Sequence, residues 1–180
     1  NSKFNLQTLP GIDYPVLTSD TKERVTNINL SQGSLKRMLL QVQYSMAVQD
    51  IRYYLNGLLF QIKANKLEVV ATDGHRLAYV NQKLLEPVGD VQFIIPRKAI
   101  MELIKLLADN DTEVRIEKAE TQATFALGSI KLTTKLVEGT FPDYQRVIPK
   151  DYVKNFDIRR EDLLQALQRA VILANEKYRG

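Results

Sequence analysis

The pattern that most limits what this chain can fold into is one that it writes twice. "VTNINL" (25–30) alternates polar and apolar side chains, as a half-buried strand does, and Ser31 is placed to cap a helix beginning just after it. Leu35, Met38, Leu39 and Val42 then fall at i, i+3, i+4 and i+7, one apolar stripe along a helix. Three strand-like runs come next: "LLFQIK" (58–63), "LEVVAT" (67–72) and "LAYVNQ" (77–82), the first two joined by a turn at Ala64-Asn65-Lys66. The order then recurs. "VQFIIP" (91–96) reads as a strand, and Ile100, Leu103, Ile104 and Leu107 form a second helical stripe. "EVRIEK" (113–118), "QATFAL" (122–127) and "IKLTTKL" (130–136) complete the set. A β-α-β-β-β unit written twice, with a period of roughly 65 residues, predicts an α+β fold. Its two helices should pack on one side of antiparallel sheets.

A longer repeat links the ends. "FNLQTLPGIDYP" (4–15) resembles "IKLTTKLVEGTFP" (130–142), each a short strand, a turn and an aromatic-proline pair. A strand and a helix are expected after both, in "VTNINLSQGSLKRMLLQV" and in "NFDIRREDLLQALQRAV", and "QDIRYYLNG" has a looser echo in "NEKYRG" at 175–180. Both termini read as positions inside a longer chain. The predicted domains are 1–20, the end of a preceding domain; 21–145, a complete domain; and 146–180, the start of a third.

Chemistry is constrained by what the chain lacks. It has no Cys, which excludes disulfides, thiolate zinc sites and cysteine nucleophiles and suits a reducing compartment. Its one His, His75, sits in "VVATDGHRLAYV" (69–80). A single His cannot supply a zinc site, and no Ser lies in a nucleophile-elbow context beside it, so catalysis is disfavoured. "TDGHR" reads instead as a tight turn in which Gly74 supplies backbone freedom and Asp73 hydrogen-bonds the turn. No Gly-rich phosphate loop and no clustered carboxylates are present. No apolar run approaches the about 18–20 residues that span a membrane. A net charge of +4 permits a nucleic-acid partner without requiring one.

"QDIRYYLNGLLF", "VATDGHRLA", "IIPRKAIMEL" and "KLVEGTFPDYQRVIP", in this order, resemble the middle domain of the bacterial sliding clamps, the beta subunits of DNA polymerase III. The resemblance covers essentially the whole chain. It implies a DNA clamp fold, three like domains per subunit, and a ring-shaped homodimer around double-stranded DNA, held without base-specific contacts. It also implies a non-catalytic processivity factor, without cofactor or metal, in the bacterial cytoplasm. Its partners would be the replicative polymerase, the clamp loader and repair polymerases, bound through short linear motifs. A segment without complete first and third domains is expected not to close a ring. The rival readings are an interaction module that never meets DNA and, less favoured, an enzyme using His75 as a base.

By motif match, the resemblance implies a peptide-binding cleft built from Leu55, Thr72, Gly74, His75, Arg76, Leu77, Pro142 and Val147, with Arg52 and Tyr53 beside it. The apolar members suit a Leu or Phe anchor, and the polar ones supply hydrogen bonds at the rim. "DIRYYLN" joins a cation to two aromatics, which suits nucleic acid or peptide. The plainer alternative places one of Tyr53 and Tyr54 in the core and the other over a loop. Gln49, Tyr53 and Tyr54 are carried over as DNA-facing. So are Lys36 and Arg37 on the first helix and Arg97, Lys98 and Lys105 on the second. Taken without the resemblance, these charges are a solvated helix surface. With it, they are a weakly basic lining that attracts phosphates without locking onto bases.

Overall fold

The computed structural model describes residues 2–13, 25–150 and 153–172. The chain divides into two compact units, residues 1–142 and 143–180. The first holds both copies of the repeat. Its elements are β1 (Thr26–Ser31), α1 (Gln32–Val42), β2 (Gly57–Lys63), β3 (Lys66–Thr72), β4 (Leu77–Lys83), β5 (Val91–Pro96), α2 (Arg97–Leu106), β6 (Glu113–Lys118), β7 (Gln122–Leu127) and β8 (Ile130–Lys135).

The strands form two antiparallel four-stranded sheets, in the orders β1-β6-β7-β8 and β4-β3-β2-β5. The first strand of each repeat is therefore exchanged. β1 pairs with β6 of the second copy, Ile28 opposite Ile116, and β5 pairs with β2 of the first, Phe93 opposite Phe60. α1 lies on β3 and β4, α2 on β2 and β5, and the helices touch each other. One core joins these layers. Phe60 stacks on Phe93 at 5.5 Å between ring centroids and meets Phe125 of the other sheet edge-on at 6.4 Å. Edge-to-face and offset pairs of this kind add to the burial of their surfaces.

The apolar stripes are buried as their spacing requires. Leu35, Met38, Leu39 and Val42 of α1 and Ile100, Leu103 and Leu107 on and just after α2 are all in the core, while Ile104 is half-buried. Ser31 caps α1 by accepting from the Ser34 amide at 3.3 Å. The exchange also closes the helix starts, whose first amides have no partner within the helix. The Gln32 N–H donates to the Thr112 carbonyl at 2.8 Å, and at the matching place the Arg97 N–H donates to the Asn56 carbonyl at 2.9 Å. The β2–β3 turn has positive φ at Ala64 and Asn65, the geometry of a two-residue hairpin.

The two copies differ in length at two places. Thr26 and Val91, and Gln32 and Arg97, are each 65 residues apart, but Gly57 and Glu113, and Lys66 and Gln122, are only 56 apart. The first copy carries a longer connection after its helix, residues 43–56, with short 3₁₀ turns at Gln43–Ser45 and Tyr53–Leu55. Its last hairpin loop, 73–76, is also longer than its counterpart at 128–129.

The second unit has a 3₁₀ turn at Tyr144–Arg146 and α3 (Arg160–Ile172). The helix expected there forms, but the strand expected at "NFDI" does not, and neither does the one expected from Phe4. A strand is completed by hydrogen bonds to a neighbour, and neither segment has a pairing strand among the described residues. The Tyr14-Pro15 pair and the echo at 175–180 lie outside the described residues.

Candidate functional site

The two places where the first copy is longer meet. The 73–76 turn is organised by short local bonds. The Thr72 hydroxyl donates to the Arg76 carbonyl at 2.7 Å and accepts from the Gly74 amide at 3.1 Å. The Asp73 carboxylate accepts from the His75 and Arg76 amides at 2.9 and 3.0 Å and from Arg76 Nε at 3.1 Å. Gly74 sits at φ +91°, which side chains resist.

The 43–56 loop supplies the other half. Asp50 takes a two-pronged bond from Arg52, Nε to Oδ1 at 3.0 Å and Nη2 to Oδ2 at 2.8 Å. Asn56 fixes Asp50 from behind, accepting from its amide at 3.0 Å and donating to its carbonyl at 2.8 Å. Arg52 then reaches the Asp73 carbonyl at 3.4 Å. Arg76 reaches the opposite way, donating to the Tyr44 carbonyl at 2.7 Å with its guanidinium 5.6 Å from the Tyr44 ring centre. Charges thus alternate along the site: Asp50, Arg52, Asp73, Arg76.

The electrostatics arise from these bonds. The Arg52 side chain, then its amide, holds the Asp50 carboxyl down to about 2. Asp50 in turn pushes the Arg52 guanidinium up. Burial works to raise Asp73, but the His75 and Arg76 amides and the Arg76 guanidinium outweigh it, so the carboxyl titrates below its ordinary value. Both aspartates are anionic near neutral pH, and the turn is set before any partner arrives. Arg52 Nη1 and Arg76 Nη1 make no hydrogen bond among the described residues. Each guanidinium therefore keeps a donor to offer.

Of the residues expected to form the cleft, Arg52, Thr72, Gly74, His75, Arg76 and Leu77 come together here. Thr72 and Leu77 are direct cross-strand partners. His75 is exposed and its ring makes no hydrogen bond among the described residues. Leu77 is half-buried. Leu55 is only 1% exposed and so supports the loop from beneath, its amide donating to the Arg52 carbonyl at 2.9 Å. Pro142 is exposed at the end of the first unit, and Val147 is exposed in the second. Neither Tyr53 nor Tyr54 enters the core: Tyr53 is exposed and Tyr54 half-buried, and Leu55 takes the core position instead. Gln49 is exposed and holds φ +56°.

The side chains of the basic helix residues make no hydrogen bond to this site among the described residues, although the Arg97 N–H donates to the Asn56 carbonyl at its edge. Arg37, Lys98 and Lys105 are exposed, and Lys36 and Arg97 are half-buried. Lys105 pairs with Glu102 at 2.9 Å, a surface bridge that leaves both groups largely in solvent. Asp50, Asn56 and Tyr44 were not singled out from the sequence. An Asp two residues before an Arg, the Asx-turn arrangement, signals the first; nothing local signals the others.

Residues 29–143 match the family described as "DNA polymerase III beta subunit, central domain". The chain belongs to this family. Like the beta-subunit central domain, it is an α+β clamp domain of two antiparallel sheets with packed helices. It is 41% identical over 179 residues to the beta sliding clamp of Escherichia coli (strain K12), covering 99% of this chain and 48% of that protein. A DNA polymerase sliding clamp from Pseudomonas aeruginosa, solved with a ligand, superposes with a TM-score of 0.87 at 40% identity, covering 99% of this chain and 48% of that one. The sliding clamp of Bacillus subtilis does so with a TM-score of 0.89 at 31% identity, covering 98% and 46%. The chain thus spans about half the length of the beta-subunit relatives that it matches.

Proposed function

We propose that this chain is the central part of a DNA polymerase processivity clamp, a non-catalytic ring-shaped homodimer that encloses duplex DNA. In this reading the 72–77 turn, with Arg52 beside it and Pro142 as a further apolar member, captures short linear peptides of the replicative polymerase, the clamp loader and repair polymerases. The observation that carries the docking role is the turn itself. It is pre-bonded through Asp73 and Thr72, so a ligand need not pay to order it, and it presents unused guanidinium donors near the apolar edge of Leu77. The ring supplies processivity by effective concentration: a polymerase held by a modest-affinity peptide stays near its template. Exposed Arg37, Lys98 and Lys105, with Lys36 and Arg97, would meet phosphates and leave the bases unread. The loop residues Gln49, Tyr53 and Tyr54 would touch the duplex at the rim. The bacterial cytoplasm is the setting this role implies.

The test is a fluorescence-polarisation titration with a peptide carrying a Gln followed by Leu and Phe anchors. Saturable binding with a Kd of roughly tens to hundreds of micromolar, abolished in Leu77→Asp and weakened in His75→Ala, is the expected result. Equal binding by wild type and Leu77→Asp would sink the docking reading.

A further inference from the structure

A concavity lies where the two sheets adjoin, at β5 of one and β8 of the other. It has a volume of about 450 Å³, within the usual range of small-molecule sites. It shares no residue with the 72–77 turn. Its floor is apolar: Leu59 and Ile94, direct cross-strand partners, and Phe141. A strap, residues 136–142, lines one side of it and is tied to the β6–β7 loop and to β5. The Leu136 N–H donates to the Thr121 carbonyl at 2.8 Å, and the Val137 N–H to the Ile94 carbonyl at 2.9 Å.

The rim is charged. Lys118 ends β6 and Lys135 ends β8, and both line the cavity. Neither is in an ion pair among the described residues. Glu120 and Glu138 also line it. Glu120 already has a partner of its own, so two unpaired ammonium groups and one further carboxylate, Glu138, face the cavity, which favours one negative charge there and discourages a second. We propose that this cavity binds a small monoanion, an apolar one- or two-ring body bearing a single carboxylate. The body rests on Leu59, Ile94 and Phe141, and the carboxylate meets Lys118 and Lys135.

The strap connects this site to the docking loop. Gly139 is at φ +117°, and a Cβ built there would be 3.3 Å from Cδ1 of Tyr54, two residues beyond Arg52. An occupant that shifts the strap therefore moves what Tyr54 rests on. This linkage, unlike the site, rests on the docking reading above.

The experiment is an amide NMR titration of the ¹⁵N-labelled chain with biphenyl-4-carboxylate, and in parallel with the neutral biphenyl-4-carboxamide. Saturable shifts should centre on Ile94, Lys135 and Val137, with the carboxamide about two- to fivefold weaker, as for one exposed charge pair. Lys135→Ala, an exposed change, should reduce that preference, and Lys118→Ala with Lys135→Ala should erase it, with the rest of the spectrum intact. Absence of saturable shifts at millimolar ligand, shifts centred elsewhere, or equal affinity for acid and amide would overturn the site. The peptide titration repeated with the acid at saturation tests the linkage, since coupling between sites is reciprocal. An unchanged peptide Kd would overturn the linkage while the shifts still support the site. A failure of the peptide to bind in either condition would overturn the docking reading alone.

Discussion

The guanidinium of Arg52 stands where a side chain on residue 74 would have to go. A Cβ built on Gly74 would lie 3.3 Å from both Nη atoms of Arg52, at a backbone φ of +91°. Gly74→Ala therefore strains the backbone and displaces Arg52 together. The backbone part costs about 1–2 kcal/mol. Urea denaturation should show a lower midpoint with an unchanged slope. Combining Gly74→Ala with Arg52→Ala should recover only the steric part of the loss.

Asp50 should titrate far below an ordinary aspartate. Its folded value is depressed to about 2 from 3.8. The stabilisation from its bond to Arg52 is thus fully present above pH 3.8 and is lost as pH falls through about 2. A carboxyl-detected NMR titration should find the midpoint near 2 in the wild type, and Arg52→Gln should move it back toward 3.8. An unmoved midpoint in that variant would remove Arg52 as the cause.

Gly57 begins β2 where the strand passes against β5. A Cβ there would run into the carbonyl of its neighbour Ile95, and backbone cannot step aside as the end of a flexible side chain can. Gly57→Ala should destabilise the fold by about 1–3 kcal/mol, read from thermal or urea unfolding. A change within about 0.5 kcal/mol, the scatter of neutral surface substitutions, would mean that the strands separate at little cost.

Lys98 and Lys105 lie seven residues apart on the exposed side of α2. On the proposed clamp reading, Lys98→Glu with Lys105→Glu in the full-length protein should weaken DNA binding alike across sequences. The dependence of log K on log salt should flatten by about 0.9 for each phosphate left without its lysine. The same variant should leave the peptide Kd unchanged. A salt slope equal to wild type would take these two residues off the DNA-facing surface.

The first unit was legible because β1 and both helices bury one face each, and β2, β3 and β5 are short apolar runs buried on both. Alternation in "VTNINL" and the i, i+3, i+4, i+7 stripes of both helices report which side meets the core, and the core includes Ile28, Leu30 and all of both stripes but Ile104, which packs against it. The same alternation in "FNL" at residues 4–6 signals a strand only if a neighbour is there to pair with it. The exchange of β1 and β5 between repeats was not legible, since strand order depends on pairings far apart in the chain. At the site, the turn residues Thr72, Asp73 and Gly74 carry their own local signature. Arg76 reaching back to Tyr44, 32 residues earlier, carries none. Asn56 bonding Asp50 is likewise a meeting that folding arranges and residue order conceals.

The swapped first strands make each half of this unit a borrower. Residues 25–84 without 91–136 would lack the strand that edges β2, and the reverse holds for β6. A lone copy of the β-α-β-β-β segment could complete its sheet only by trading strands with a twin, so the unit amounts to an intertwined pair whose members share one chain. The link between them, residues 85–90, is largely exposed, with Leu85 pointing into solvent. A cut there would leave two pieces, each holding what the other needs, that should find one another and rebuild both sheets.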